Sequence, residues 1–128
     1  MTDPKPIIAY LYVGLGGAAG SVVRFAVAQY LNKVKPENPF LAVASVNIIG
    51  SLLIGLFAGH FTSKDNALYF LLVVGFLGGF TTFSSYSLDL LAMLQRQLYG
   101  QAALFALAQV ILGVGAAAAG FAITTKLL

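Results

Sequence analysis

The amino-acid sequence predicts an all-α membrane protein with four transmembrane helices per chain, the third helix broken near Gly78–Thr82. Three observations carry that expectation. Hydrophobic residues make up 59% of the 128-residue chain and charged residues only 9%, with a mean hydropathy of +0.91. A soluble domain carries about 25% charged residues, because its surface has to face water. The apolar residues also fall into four runs, separated by polar and helix-breaking clusters, and each run passes the ~18 residues that mark a crossing. Finally, the third run holds Gly78-Gly79 followed closely by Thr81-Thr82, a poor centre for a helix. Four spans of about 20 residues need about 80 residues, so the chain reads as one four-helix transmembrane domain over 1–128.

Span one is expected over 7–31, with Pro36 and Pro39 in the loop that follows. It is longer than a signal-peptide core and its amino-terminal flank is barely basic, so it reads as a retained span. Span two is expected over 40–61, followed by the polar stretch Thr62-Ser63-Lys64-Asp65-Asn66. Span three is expected over 67–95, a short turn over Arg96 to Gln101, and span four over 102–125. Taken as one helix, span three would be about 43 Å long, too long for a hydrocarbon core of about 30 Å. A break removes that excess. Broken helices survive at membrane depth only where protein or a water-lined cavity satisfies the freed backbone groups, and such breaks supply carbonyls for cations and amides for anions.

The basic residues do not choose an orientation. With four spans, Lys5, Lys64 and Lys126 fall on one side and Lys33, Lys35 and Arg96 on the other, and it is the Lys/Arg bias that normally sets topology. Either other cues orient the chain or it inserts both ways round, which would permit an antiparallel homodimer. The same scatter of single cations argues against a nucleic-acid partner, in spite of a pI near 9.3, because such a surface needs a basic patch. With no cysteine and one histidine, His60, neither a disulfide framework nor a Cys or His metal cluster is available.

Within the spans, small and polar residues form stripes. Span two carries Asn47, Ser51, Gly55 and Gly59; span four carries Gln109, Gly113, Ala117, Gly120 and Thr124; span one carries Gly16 and Gly20, with Arg24 four residues beyond. Small residues at this spacing let helix backbones approach closely in lipid. Arg24, Asn47, Asp89 and Gln109 ask for more than packing, since an ionised group at mid-membrane costs about 2.5–3.5 kcal/mol on insertion scales. After the break, a resumed helix would put Phe83 and Tyr86 on one face and Thr82, Ser85 and Asp89 on the next. Aromatic edges are electropositive, and the hydroxyls of Ser84, Ser85 and Ser87 can donate to an anion. No Asp or Glu occurs in spans one, two or four, so nothing is arranged to relay protons. The chemistry points to a narrow anion pathway.

The run Gly78-Gly79-Phe80-Thr81-Thr82-Phe83-Ser84-Ser85-Tyr86-Ser87 resembles the signature of the Fluc (CrcB) fluoride channels. The segments Gly14 to Arg24 and Val46-Asn47-Ile48-Ile49-Gly50-Ser51 are similar to that family's first and second helices. The resemblance implies an antiparallel dual-topology homodimer in the inner (plasma) membrane, with two fluoride pores and a structural sodium ion at the dimer interface, exporting cytoplasmic fluoride passively and so giving fluoride resistance. It further implies that Phe83, Asn47, Ser84 and Ser85 line the pore, that Gly78 and Thr81 offer backbone carbonyls to sodium, and that Arg24 is a vestibule charge, with Asp89 where the family usually has glutamate. Tyr86 replaces the family's second pore phenylalanine. Gln109 and Gly113 stand where relatives carry other polar side chains, and Gln109 can continue a polar track through its amide. Val43 and Ala42 stand where relatives often have threonine and glycine.

Two other readings compete. A small multidrug exporter has the same size but depends on a carboxylate in its first helix, where this chain has only Arg24. A non-conducting accessory membrane subunit would explain the glycine stripes but not the clustered hydroxyls and aromatic pair. No nucleophile–base pair or metal cluster marks an enzyme.

Overall fold

The computed structural model of the protein describes residues 6–61 and 63–127. Lys5 and Thr62, assigned above to a flank and a loop, lie outside the described residues. Among the described residues, four helical spans are long and apolar enough to cross a membrane: Pro6–Val34, Leu41–His60, Tyr69–Gln95 and Tyr99–Lys126. Helix α1 covers Pro6–Val34 and α2 covers Leu41–His60. The third span has two arms: α3, wound as a π-helix over Tyr69–Leu77 and closed by the α-helical turn Gly78–Phe80, and α4 over Phe83–Gln95. Helix α5 covers Tyr99–Leu127. The outer helices run past the expected spans 7–31 and 102–125 by one to three residues at each end.

Local chemistry sets the ends. Pro6 opens α1, where its missing N–H has no intrahelical partner to lose. Before the third span, the Asn66 side chain accepts from the Leu68 N–H at 2.8 Å. At the end of α4, Gln97 adopts a left-handed conformation with φ 59°. Its N–H donates to the Leu94 carbonyl at 3.0 Å and the Leu98 N–H to the Met93 carbonyl at 2.9 Å. This is the double bond pattern with which helices commonly stop, here without glycine.

Two helix pairs build the molecule. In the first, the glycine stripe of α1 lies against α3: a side chain at Gly16 would strike the Leu71 carbonyl, and one at Gly20 the Phe76 carbonyl. In the second, the stripes of α2 and α5 meet rung by rung. Asn47 bonds Gln109, Gly55 abuts the Ala117 backbone, and the Thr124 hydroxyl donates to the Leu56 carbonyl at 2.9 Å. The sequence stripes are thus packing seams, as small residues in lipid allow. Few large side chains are fully buried; Met93 and Val46 are each 1% exposed. Much of the apolar surface faces outward, as a membrane solvent permits.

The break is narrower than the expected Gly78–Thr82. The Gly78–Phe80 turn stays helical, and only Thr81 (φ −88°, ψ 159°) and Thr82 (φ −151°, ψ 122°) are extended. Gly79 serves approach rather than interruption, since it sits against the Gly17 carbonyl, while the space beside Gly78 is open. The β-branched threonines, which suit extended backbone, take the break itself.

Candidate functional site around the break

Breaking a helix strands the backbone groups on either side of it. Thr82 is extended, so its N–H cannot reach back to the Gly78 carbonyl. Instead it donates to Asn47 Oδ1 at 2.8 Å, and Asn47 Nδ2 returns a bond to the Thr82 carbonyl at 3.0 Å. The carboxamide of α2 therefore pairs with the exposed peptide as a neighbouring strand would. The same Nδ2 also donates to Gln109 Oε1 on α5 at 3.1 Å. On the other flank, Arg24 Nε donates to the Gly79 carbonyl at 2.9 Å, and the Thr81 hydroxyl donates to the Leu77 carbonyl at 2.9 Å. The methyl of Thr81 packs over Gly50 of α2, where a side chain would collide with it.

Thr82 also caps the second arm: its hydroxyl oxygen accepts the Ser85 N–H at 3.1 Å and lies 3.2 Å from Ser84 Oγ. Such a cap satisfies one of the free donors at a helix start. Thr82 was not among the site residues expected from the sequence. The signal for it was present: Thr82 followed three residues later by Ser85, at the point where helical periodicity resumes.

An open groove of about 400 Å³ lies beside the break, walled by α2, α3, the first turn of α4 and α5. Asn47, Gln109, Phe83, Tyr86, Gly78 and Thr81 all line it, together with Ser51 and Thr82. Four of the expected pore residues, Asn47, Phe83, Tyr86 and Gln109, drawn from three different spans, thus meet in one place. Phe83 and Tyr86 have ring centroids 5.7 Å apart at an interplanar angle of 54°. The aromatic contacts continue from Tyr86 to Phe105 at 5.5 Å and from Phe105 to Phe40 at 6.1 Å. Phe83 is 78% exposed. The hydroxyl of Tyr86 does not point along the groove: it donates to the Ala106 carbonyl at 3.0 Å.

Ser84, Ser85, Arg24 and Asp89 do not line the groove. Ser84 and Ser85 sit on the first turn of α4 just behind its edge, and Arg24 reaches the break from the α1 side. Asp89 lies further along α4, and its buried Oδ2 has no hydrogen-bond partner among the described residues. Cations that prefer oxygen ligands take backbone carbonyls readily, and the carbonyls of Gly78 and Thr81 accept no hydrogen bond among the described residues. The space next to the Gly78 Cα is open. These two residues therefore fit a cation bound through main-chain oxygens. No group of three or more His, Cys, Asp or Glu side chains gathers among the described residues.

The chain matches a known family over most of its length. The family model for CrcB-like protein, Camphor Resistance (CrcB), matches residues 11–121. A protein of Phenylobacterium zucineum named fluoride-specific ion channel FluC is 43% identical over 123 residues, covering 92% of this chain and 96% of that protein. A protein of the same name from Rhizobium etli is 42% identical over 126 residues, covering 95% of this chain and all of its relative. A third, from Francisella tularensis, is 48% identical over 93 residues, covering 67% of this chain and 83% of its own length. The broken third span and its convergent side chains are thus found in a chain that belongs to the CrcB family.

Proposed function

We propose that this protein is a fluoride-selective channel that lets cytoplasmic fluoride leave down its electrochemical gradient, and that it is not an enzyme. The observation that carries the reading is the meeting of Phe83, Tyr86, Asn47 and Gln109 on one groove beside the break, in a chain whose relatives are named fluoride-specific ion channels. Fluoride is small and strongly hydrated, so a selective path has to replace its water with close donors and electropositive edges. The tilted rings of Phe83 and Tyr86 offer such edges. The amino end of α4, a 13-residue helix, opens at the break and favours negative charge there. Arg24 adds a fixed positive charge on the far flank of the same break. A larger anion such as chloride would fit such closely spaced donors poorly.

The working unit in this proposal is an antiparallel dual-topology homodimer in the inner membrane, carrying two pores. The near-even split of Lys and Arg between the two sides, three against three with Arg24 inside span one, supports it, as does Phe83, whose ring is largely exposed on the single chain. A sodium ion at the dimer centre would be held by the carbonyls of Gly78 and Thr81. When bound, it would supply a fixed charge that ties the break to the partner.

Fluoride efflux from liposomes containing the purified protein tests the function. Rapid fluoride release with negligible chloride release is expected, and comparable rates for the two anions would overturn selectivity. Labelling Lys64 from each membrane face tests the topology: reaction from both faces is expected, and reaction from one face alone ends the dual-topology proposal.

A further inference from the structure

We infer that a cleft at one end of the bundle seats an anionic phospholipid, whose phosphodiester is held by Lys35 and Arg96. The cleft shares no residue with the groove beside the break, so the inference stands apart from fluoride conduction.

The cleft, of about 690 Å³, opens between the segment that joins α1 to α2 and the turn that joins α4 to α5. Its two cations sit directly at helix ends, Lys35 after Val34 and Arg96 after Gln95. Main-chain bonds pin both. The Lys35 N–H donates to the Leu31 carbonyl at 2.7 Å, and the Lys35 carbonyl accepts from the Asn38 N–H at 3.0 Å. The Arg96 N–H donates to the Ala92 carbonyl at 3.1 Å, and Gln97 then turns left-handed. Of the two arginines in the chain, Arg24 spends its guanidinium on the Gly79 carbonyl. The Arg96 guanidinium and the Lys35 ammonium make no hydrogen bond among the described residues, and both side chains are exposed.

Charge, depth and wall chemistry name the occupant. Glu37 is the one carboxylate lining the cleft among the described residues. Lys35, Arg96 and Glu37 together leave one net positive charge, the complement of a single phosphodiester. The cleft lies where four helices end or begin, at Val34, Leu41, Gln95 and Tyr99. Tyr30 and Tyr99 are exposed at this same end, and tyrosine gathers at headgroup level. Basic pockets at that level capture lipid headgroups. Phe40 and Leu98 add apolar wall to the cleft, with the Phe40 ring held 6.1 Å from that of Phe105. A free phosphate would use the cations and leave that wall wet. A phospholipid uses both, because its phosphate is tethered to glycerol and acyl chains.

Native mass spectrometry of the delipidated full-length protein in detergent tests this, titrated separately with phosphatidylglycerol, phosphatidylcholine and inorganic phosphate. Phosphatidylglycerol is expected to form a saturable adduct of one per chain. Phosphatidylcholine, whose headgroup carries its own cation, should bind more weakly, and inorganic phosphate should neither bind nor displace the lipid. A basic residue near a membrane surface is worth about fivefold in lipid binding. Lys35→Gln with Arg96→Gln should therefore weaken the adduct about 25-fold. Lys64→Gln with Lys126→Gln removes the same charge from the other membrane side and should leave the adduct unchanged. Glu37→Gln should tighten it by about fivefold, a gain that misfolding cannot produce. Equal weakening in both double variants, or an adduct untouched by the first, would overturn the site. Weaker binding or no change in Glu37→Gln would overturn the charge assignment. Displacement of the lipid by inorganic phosphate would make the ligand a free anion and overturn the phospholipid.

Discussion

The two arms of the third span come from one continuous stretch of chain, yet they are held by different neighbours and by different chemistry. The first arm, α3, buries Val73, Gly75, Leu77 and Phe80 and lies along the glycine face of α1. The second arm, α4, buries only Met93 and turns Phe83, Leu88 and Leu91 outward. It leans instead on α5, through the Tyr86 hydroxyl and the Tyr86–Phe105 ring contact. A straight rod could not follow α1 with one half and α5 with the other. The break lets the span change partner at mid-depth, and the groove opens where the change occurs. Anchoring and the proposed pore chemistry thus fall on different arms of one span, with Thr81 and Thr82 as the boundary.

The sharpest way to break this comparison is to attack the anchor. In Gly20→Val the new side chain would meet the Phe76 carbonyl and the Phe80 N–H, which are backbone atoms that cannot swing away. Overpacking of this kind costs about 1–3 kcal/mol where the surroundings yield, and here they do not. Gly20→Val is therefore expected to run as aggregate on size-exclusion chromatography in detergent, and a monodisperse peak with wild-type flux would contradict the anchoring role of α3.

A change on the second arm should do the opposite. Phe83→Ile removes a ring that is largely exposed within the single chain, so folding and assembly should persist. Fluoride flux should fall by roughly 100-fold or more, equivalent to about 3 kcal/mol of added barrier. Wild-type flux in liposomes would take Phe83 out of the pathway and leave α4 without its proposed chemistry.

The smallest effect is expected from Tyr86→Phe, which keeps the ring and deletes only the bond to the Ala106 carbonyl. Interhelical hydrogen bonds in membranes average about 0.6 kcal/mol, so a lowered unfolding temperature with near-normal flux is the expected result. A large loss of flux would mean that the hydroxyl itself handles the anion, and would require it to leave Ala106.

How much of this was legible in the sequence depended on the range of the force involved. The spans were readable because a hydrocarbon solvent leaves no choice: long apolar runs must become helices whose backbone groups are satisfied internally. The break was readable because paired glycines and paired threonines disfavour a helix centre, although the glycines proved helical and the threonines alone extended. The stripes on α2 and α5 were readable as seams, but not their pairing. The cap that Thr82 places on Ser85 is legible in their spacing, but its main-chain pairing with Asn47 is not, because a peptide group carries no residue-specific mark. The π-winding of Tyr69–Leu77 left no trace in periodicity either; this arm lies where the glycines of α1 admit its carbonyls at close range.

By itself, the sequence determined the four apolar spans, the interruption of the third and the cast of polar residues available near it, since these follow from the transfer energy and backbone preference of each residue in its own neighbourhood. Only the tertiary structure decided which of those residues are occupied and which are free. Asn47 meets Thr82 across 35 positions and Gln109 across 62, and the Tyr86 hydroxyl finds a carbonyl 20 residues on. A hydrogen bond spent on one partner is withheld from another, and that allocation exists only once distant segments share the same space.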